Sequence, residues 1–162
     1  MNMLPQEFYA RKADIVAKEL LGRYLCLKSP GSVNVTRARL REIAAYEGTT
    51  KTTSEGVLYE PGILSISMKF GKRLLDISTG KENLASCVTL RSADFISGKK
   101  EQRVEGPGNL TYELGIRKNT WPYYDGRKIW GNIIWIEGES IPQDIVKRKE
   151  GNSENCLGLF RF

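Results

Sequence analysis

The chain has 162 residues, 40% of them apolar, with a formal net charge of +6 and a pI ≈ 9.3. That suits one domain with an ordinary core, and the basic balance points to an anionic partner, most often nucleic acid. With no histidine, Ser-His and Cys-His catalysis are excluded; three cysteines without CxxC spacing give neither a disulfide framework nor a zinc site.

Acid–base chemistry therefore falls to Asp, Glu, Lys, Tyr or water. Cys26 and Cys87 sit in apolar runs and read as buried thiols of a reducing compartment. No basic-then-apolar leader opens the sequence, and no apolar run approaches the ~20 residues that span a bilayer. The expectation is an intracellular protein with no membrane partner, no metal and no cofactor.

In chain order, residues 7–21 predict one amphipathic helix, with Ala13, Val16, Ala17, Leu20 and Leu21 on the apolar face. A short strand over 23–28 and the turn Ser29-Pro30-Gly31 follow. Residues 32–47 predict one long strand. Alternation along it puts Glu42, Ala44 and Tyr46 on one face and Arg41, Ile43 and Ala45 on the other. A carboxylate, a small residue and a ring in a row fit the wall of a pocket for a flat ligand. They fit equally a sheet-edge strand with a solvated Glu and a half-buried Tyr.

Residues 48–56 form a polar loop, disordered or ordered by a partner, and 57–59 a short strand. Residues 63–70 and 74–79 predict a hairpin joined by Gly71-Lys72-Arg73. Its tip gathers Lys69, Phe70, Lys72 and Arg73. Either Phe70 tucks into the core, or it is a wedge for a nucleic-acid stack while the cations hold phosphates.

An apolar strand over 84–90 ends at Arg91, and a charged loop covers 97–103. Gly106-Pro107-Gly108 turns into a short helix that Asn109 can cap, with Leu110 and Leu114 buried; its N-terminus could hold a phosphate. Without Lys-Ser/Thr after the glycines it is not a P-loop. An aromatic turn at 121–124, a strand over 128–137, a loose charged stretch over 144–155 and a last strand over 157–162 complete the chain. Together these predict an α+β fold: a single domain over residues 1–162, with a mostly antiparallel curved sheet, a few flanking helices and a protruding β-hairpin.

Several landmarks fall in a familiar order: Phe8-Tyr9-x-Arg11, Val16-Ala17-x-x-Leu20-Leu21-Gly22, Glu42-x-x-Ala45-Tyr46-x-Gly48, Pro61-Gly62, Phe70-Gly71 and Val88-x-Leu90-Arg91. Gly106-Pro107-Gly108-x-Leu110-Thr111-x-x-Leu114-Gly115-Ile116 follows, then Trp135-Ile136-Glu137 and Phe160-Arg161-Phe162. Over nearly its whole length the chain resembles the alkyladenine (3-methyladenine) DNA glycosylases of the single-domain, mixed α/β type.

The resemblance implies base-excision repair: a monomer that binds double-stranded DNA, flips out an alkylated or deaminated purine and hydrolyses its N-glycosidic bond. Tyr46 matches the tyrosine that stacks on the base, Phe70 the intercalating tyrosine, and Arg91 the arginine beside the attacking water. Asp76 falls near the family's pocket asparagine, and Ser67 takes the place of its second aromatic wall. Lys69, Lys72 and Arg73 would hold the DNA backbone.

The chain also departs from the family. Where the family carries its general base, this sequence has Ala44. The pocket histidine has no counterpart, the loop after the long strand is shorter, and the segment that follows Phe162 in the family is missing. Three explanations stay open. Ala44 is a substitution made to trap DNA; the protein is a natural relative that binds lesions or DNA without cutting; or Glu42, roughly 6 to 7 Å along the same face, substitutes as the base. A basic RNA-associated β protein without a pocket is the alternative from another class.

Overall fold

The strand Val35–Gly48 (β2), 14 residues long, is the spine of the structure. The computed structural model describes residues 2–48, 60–80, 85–151 and 153–162. Most of the predicted polar loop, and all of the predicted strand 57–59, lie outside them.

Two elements precede β2. The predicted single helix is two, Gln6–Tyr9 (α1) and Ala13–Leu20 (α2). The break lets the fully buried Tyr9 enter the core while Arg11 stays outside, where its Nε donates to the Phe8 carbonyl at 3.0 Å and Nη1 reaches Glu19 at 2.9 Å. On α2, Ala13, Val16, Ala17 and Leu20 form the buried stripe that the periodicity predicts. Tyr24–Lys28 (β1) leads into β2.

The hairpin strands are Leu64–Lys69 (β3) and Lys72–Ser78 (β4), so the turn is the two residues Phe70-Gly71 rather than three. The apolar strand does not stop at Arg91. It continues as Ala85–Ser97 (β5) and returns through Lys100–Glu105 (β6), so the predicted charged loop is a hairpin arm. Pro107–Glu113 (α3) starts with Gly106 at its cap position, and Asn109 instead donates to the Glu105 carbonyl at 3.1 Å.

Trp121–Tyr124 (α4) is one helical turn. The predicted strand 128–137 shortens to Ile134–Glu137 (β7), with Lys128 and Trp130 in isolated bridges. The stretch expected to be loose holds a 3-10 turn and Lys147–Lys149 (β8), which pairs with Cys156–Arg161 (β9).

All strand pairings are antiparallel. The fold is α+β, one sheet around one apolar core. β2 and β5 pair along their length, and each changes its outer partner part-way. β2 pairs β1 through Val35–Arg39 and β9 through Glu42–Tyr46. β5 pairs β4 near Cys87–Thr89 and β6 through Ser92–Ser97. Two half-sheets, β3-β4-β5-β2-β9-β8 and β6-β5-β2-β1-β7, therefore share a common pair.

Register shifts around Arg41, Glu42 and Arg91 mark the change-over. They also reset which face looks inward. Ala38, Leu40, Ile43 and Ala45 are all core residues, so the alternation slips between Leu40 and Ile43. Past the slip, Glu42, Ala44 and Tyr46 share the face away from the core, as predicted. Arg41 does not join Ile43 and Ala45. It turns to Asp94 at 3.8 Å and lies 3.9 Å from the Phe162 ring.

Asp94, 6% exposed, ties the change-over together by also accepting from Arg103 Nε at 2.8 Å and Nη2 at 3.2 Å. Asp94→Ala would leave Arg41 desolvated without its carboxylate. The expected loss is about 2 kcal/mol of stability, because Arg103 remains half in water. Urea unfolding checks it; a loss under ~0.5 kcal/mol would mean solvent already does the work of Asp94.

Among the described residues no helix is long and apolar enough to cross a membrane.

Candidate functional site

The tip of the β3–β4 hairpin gathers three locally unfavourable features. A two-residue hairpin turn of the I′ type needs positive φ at both positions, which Asn-Gly supplies easily. Here Phe70 has φ 53° and Gly71 φ 75°. An L-residue in that region costs roughly 1–2 kcal/mol. The Phe70 ring is 93% exposed, so it does not tuck into the core. Lys69 and Lys72 stand directly opposite each other, where like charges repel. The exposure of the ring and the repulsion between the lysines both fall if an aromatic stack and an anion arrive together; the backbone cost at Phe70 remains.

Alternation divides the hairpin. Lys69, Lys72, Leu74 and Asp76 border a cleft of about 670 Å³. Arg73 is paired with Met68 on the other face, in line with the core residues Leu75 and Ile77. The structure thus brings Lys69, Phe70 and Lys72 to the cleft and leaves Arg73 behind the ribbon. The Lys72 stem lies on α3: a Cβ at Gly108 would stand 2.7 Å from Lys72 Cδ.

Lys69→Ala or Lys72→Ala is expected to lower the slope of log K against log salt for duplex DNA by about 0.9 per lost phosphate contact. Arg73→Ala should lower it less. Equal slopes for all three variants would take the phosphates off the cleft face.

Tyr46 walls the cleft from β2. Burial, reinforced by nearby Cys156, pushes its phenol up to about 12, so the ring stays neutral. Asp76, 3% exposed, accepts from the hydroxyl of Thr89 and from Ser67 Oγ at 3.2 Å. Ser67 supports this carboxylate and does not itself border the cleft. Arg91 does border it, and its Nε donates to Glu42 Oε1 at 2.9 Å.

Ala44 is fully buried. It faces Thr89 on β5 and Leu159 on β9, so a single cross-strand row runs Asp76–Thr89–Ala44–Leu159. Gly106, Pro107, Gly108 and Asn109 close the cleft beside the hairpin, and Gly151, Ser153 and Asn155 close it near β9.

Sequence reasoning missed Thr89, which only register places between Asp76 and Ala44. It also missed a second set of cations. Lys149 is paired with the cleft residue Leu159, and Lys147 with Arg161, so all three charges look toward the cleft's side of the sheet. The run Lys147-Arg148-Lys149 was visible as charge; its place was not. Among the described residues no group of three or more His, Cys, Asp or Glu could hold a metal ion.

The family model described as methylpurine-DNA glycosylase matches residues 7–152. Similar proteins include one from Anaeromyxobacter dehalogenans, provisionally named a 3-methyladenine DNA glycosylase, 32% identical over 88% of this chain and 72% of its own length. One from Myxococcus xanthus with the same provisional name is 30% identical over 91% of this chain and 80% of its own. A third, from Aeropyrum pernix, is 30% identical over 85% and 78%.

Proposed function

The chain belongs to the methylpurine-DNA glycosylase family, and from that premise we propose that it excises alkylated purines from double-stranded DNA. The observation that carries this is Phe70: exposed, conformationally costly, and beside a cleft walled by Tyr46. Residues 1–162 act as one domain, as a monomer, inside the cell where the DNA is.

The hairpin sits on the duplex with Lys69 and Lys72 on phosphates, and Lys147, Lys149 and Arg161 extend the cationic surface beyond the cleft. Phe70 enters the stack and fills the space of the displaced purine. The purine rests against Tyr46. Water adds to C1′ as the N-glycosidic bond breaks; the bonding pair leaves with the purine, and the water's proton passes to solvent.

Arg91 lies near the water's side of this reaction, held by Glu42. Glu42 is not among the residues that line the cleft, and its carboxylate is taken up by Arg91, so it acts as a positioning residue for Arg91 and not as the substitute base. That leaves the leaving group to do most of the work. A purine already positive departs as a neutral molecule and tolerates the absence of a base.

Ala44 favours one second reading, a lesion-binding protein that does not cut. A duplex bearing one 7-methylguanine separates the two. Abasic product under single-turnover conditions is expected. Tight binding with no product at high enzyme would leave the second reading, and no preference for damaged over undamaged duplex would end both.

A further inference from the structure

We propose that the protein also cuts the abasic strand that excision leaves, with the Lys69 amine as the nucleophile. This activity goes beyond excision and rests on the repair reading for where the sugar lies.

Among the described residues that line the cleft, only Lys69 and Lys72 carry a primary amine. Loss of the purine leaves C1′ as an aldehyde, and an amine is the side-chain group that condenses with it to a Schiff base. The two lysines differ in freedom. The Lys72 stem lies on α3, where a Cβ at Gly108 would stand 2.7 Å from its Cδ. Lys69 is exposed, and its Nζ lies 6.0 Å from the centre of the Phe70 ring.

That ring decides where the amine goes. Phe70, 93% exposed, fills the space of the displaced purine, and C1′ is the atom to which that purine was bonded. With the purine gone, no base holds the sugar against Tyr46, and it turns back to the edge of the inserted ring. A phosphate flanks the sugar on each side, so a flexible lysine placed on the backbone there reaches C1′ by moving its own stem.

The Lys69 nitrogen bonds to C1′, and the aldehyde oxygen leaves as water with two of the ammonium protons, giving an iminium. A C2′ proton passes to solvent, and its bonding pair forms an enamine. The enamine returns the pair, and the C3′–O bond breaks with its electrons on the phosphate. Water then hydrolyses the unsaturated iminium and restores the Lys69 ammonium. Nothing is oxidised or reduced, and no step calls on position 44, where the chain has alanine.

The test gives the full chain a duplex with one preformed abasic site. With cyanoborohydride present to reduce the imine, a covalent protein–DNA adduct is expected, and without it a cut on the 3′ side of the abasic site. Digestion and mass spectrometry of the adduct should place the sugar on Lys69. Lys69→Arg keeps the charge and removes the amine; at equal occupancy of the duplex its adduct should fall about tenfold or more.

No adduct at saturating protein, an adduct mapped to another amine, or an undiminished adduct in Lys69→Arg overturns the proposal. Because the abasic site is preformed, none of these outcomes depends on excision. Release of 7-methylguanine without trapping leaves the repair reading standing and ends this one; trapping without release of 7-methylguanine ends the excision reading alone.

Discussion

Ala44→Glu is expected to raise single-turnover excision of hypoxanthine by ~100- to 10,000-fold, the usual range for a positioned general base. Ala44 is on the same face as Tyr46 and two residues from it, so a side chain of glutamate length at that point extends beside the ring against which we place the base. The gain should be smaller for 7-methylguanine, whose charge already makes it a good leaving group.

The variant should also be less stable. Ala44 is fully buried against Thr89 and Leu159, and enlarging a packed site costs about 1–3 kcal/mol. Acceleration and a lower melting temperature are therefore expected in the same protein. The pH profile gives an independent check. A general base works deprotonated, so the added activity should disappear as pH falls through the new carboxyl's pKa and persist above it. A folded Ala44→Glu protein no faster than its parent on either lesion would mean the missing carboxylate is not what limits this site.

Phe70→Gly is expected to split stability from function. Glycine removes the cost of the positive φ and the exposed ring, so the hairpin should gain about 1 kcal/mol, seen as a higher melting temperature. Binding to lesion duplex should weaken roughly 10- to 100-fold, the worth of one aromatic stack. Binding to undamaged duplex, which rests on phosphate contacts, should change little. Phe70→Leu, an apolar side chain with no flat ring, should fall between. Equal losses on damaged and undamaged DNA would show that Phe70 is not inserted into the stack. A fall in melting temperature would show that the turn is less costly than its φ implies.

How far these sites could be read from the sequence differed from one to the next. The hairpin ribbon, the buried stripe of α2 and the common face of Glu42, Ala44 and Tyr46 follow from alternation or helical spacing, which are local. The extent of β5 was not legible. Arg91 looks like the end of a strand and Arg103 like a loop residue until Asp94 is seen paired with Arg41 and Arg103 across strands. The stretch 144–155 looked loose because nothing near it in sequence buries it; β9 beside β2 provides the edge on which β8 forms. The three cations at the ribbon tip looked equivalent; β4 starts at Lys72, two residues earlier than predicted, and alternation then puts Arg73 behind the ribbon.

The chemical inventory is written in the order of residues alone: no histidine, an alanine at position 44, an aromatic ring among cations, and the Gly-Pro-Gly helix entry. Composition and short-range periodicity are properties of neighbours along the chain, and no fold can alter them. It takes the folded chain to put Asp76, Thr89 and Ala44 in one row, to set Glu42 against Arg91, and to leave Phe70 in solvent beside the cleft. Those relations depend on strand register and on the slips at Arg41 and Arg91. Register is set by pairing between segments tens of residues apart, where a shift of one position exchanges the two faces of the sheet.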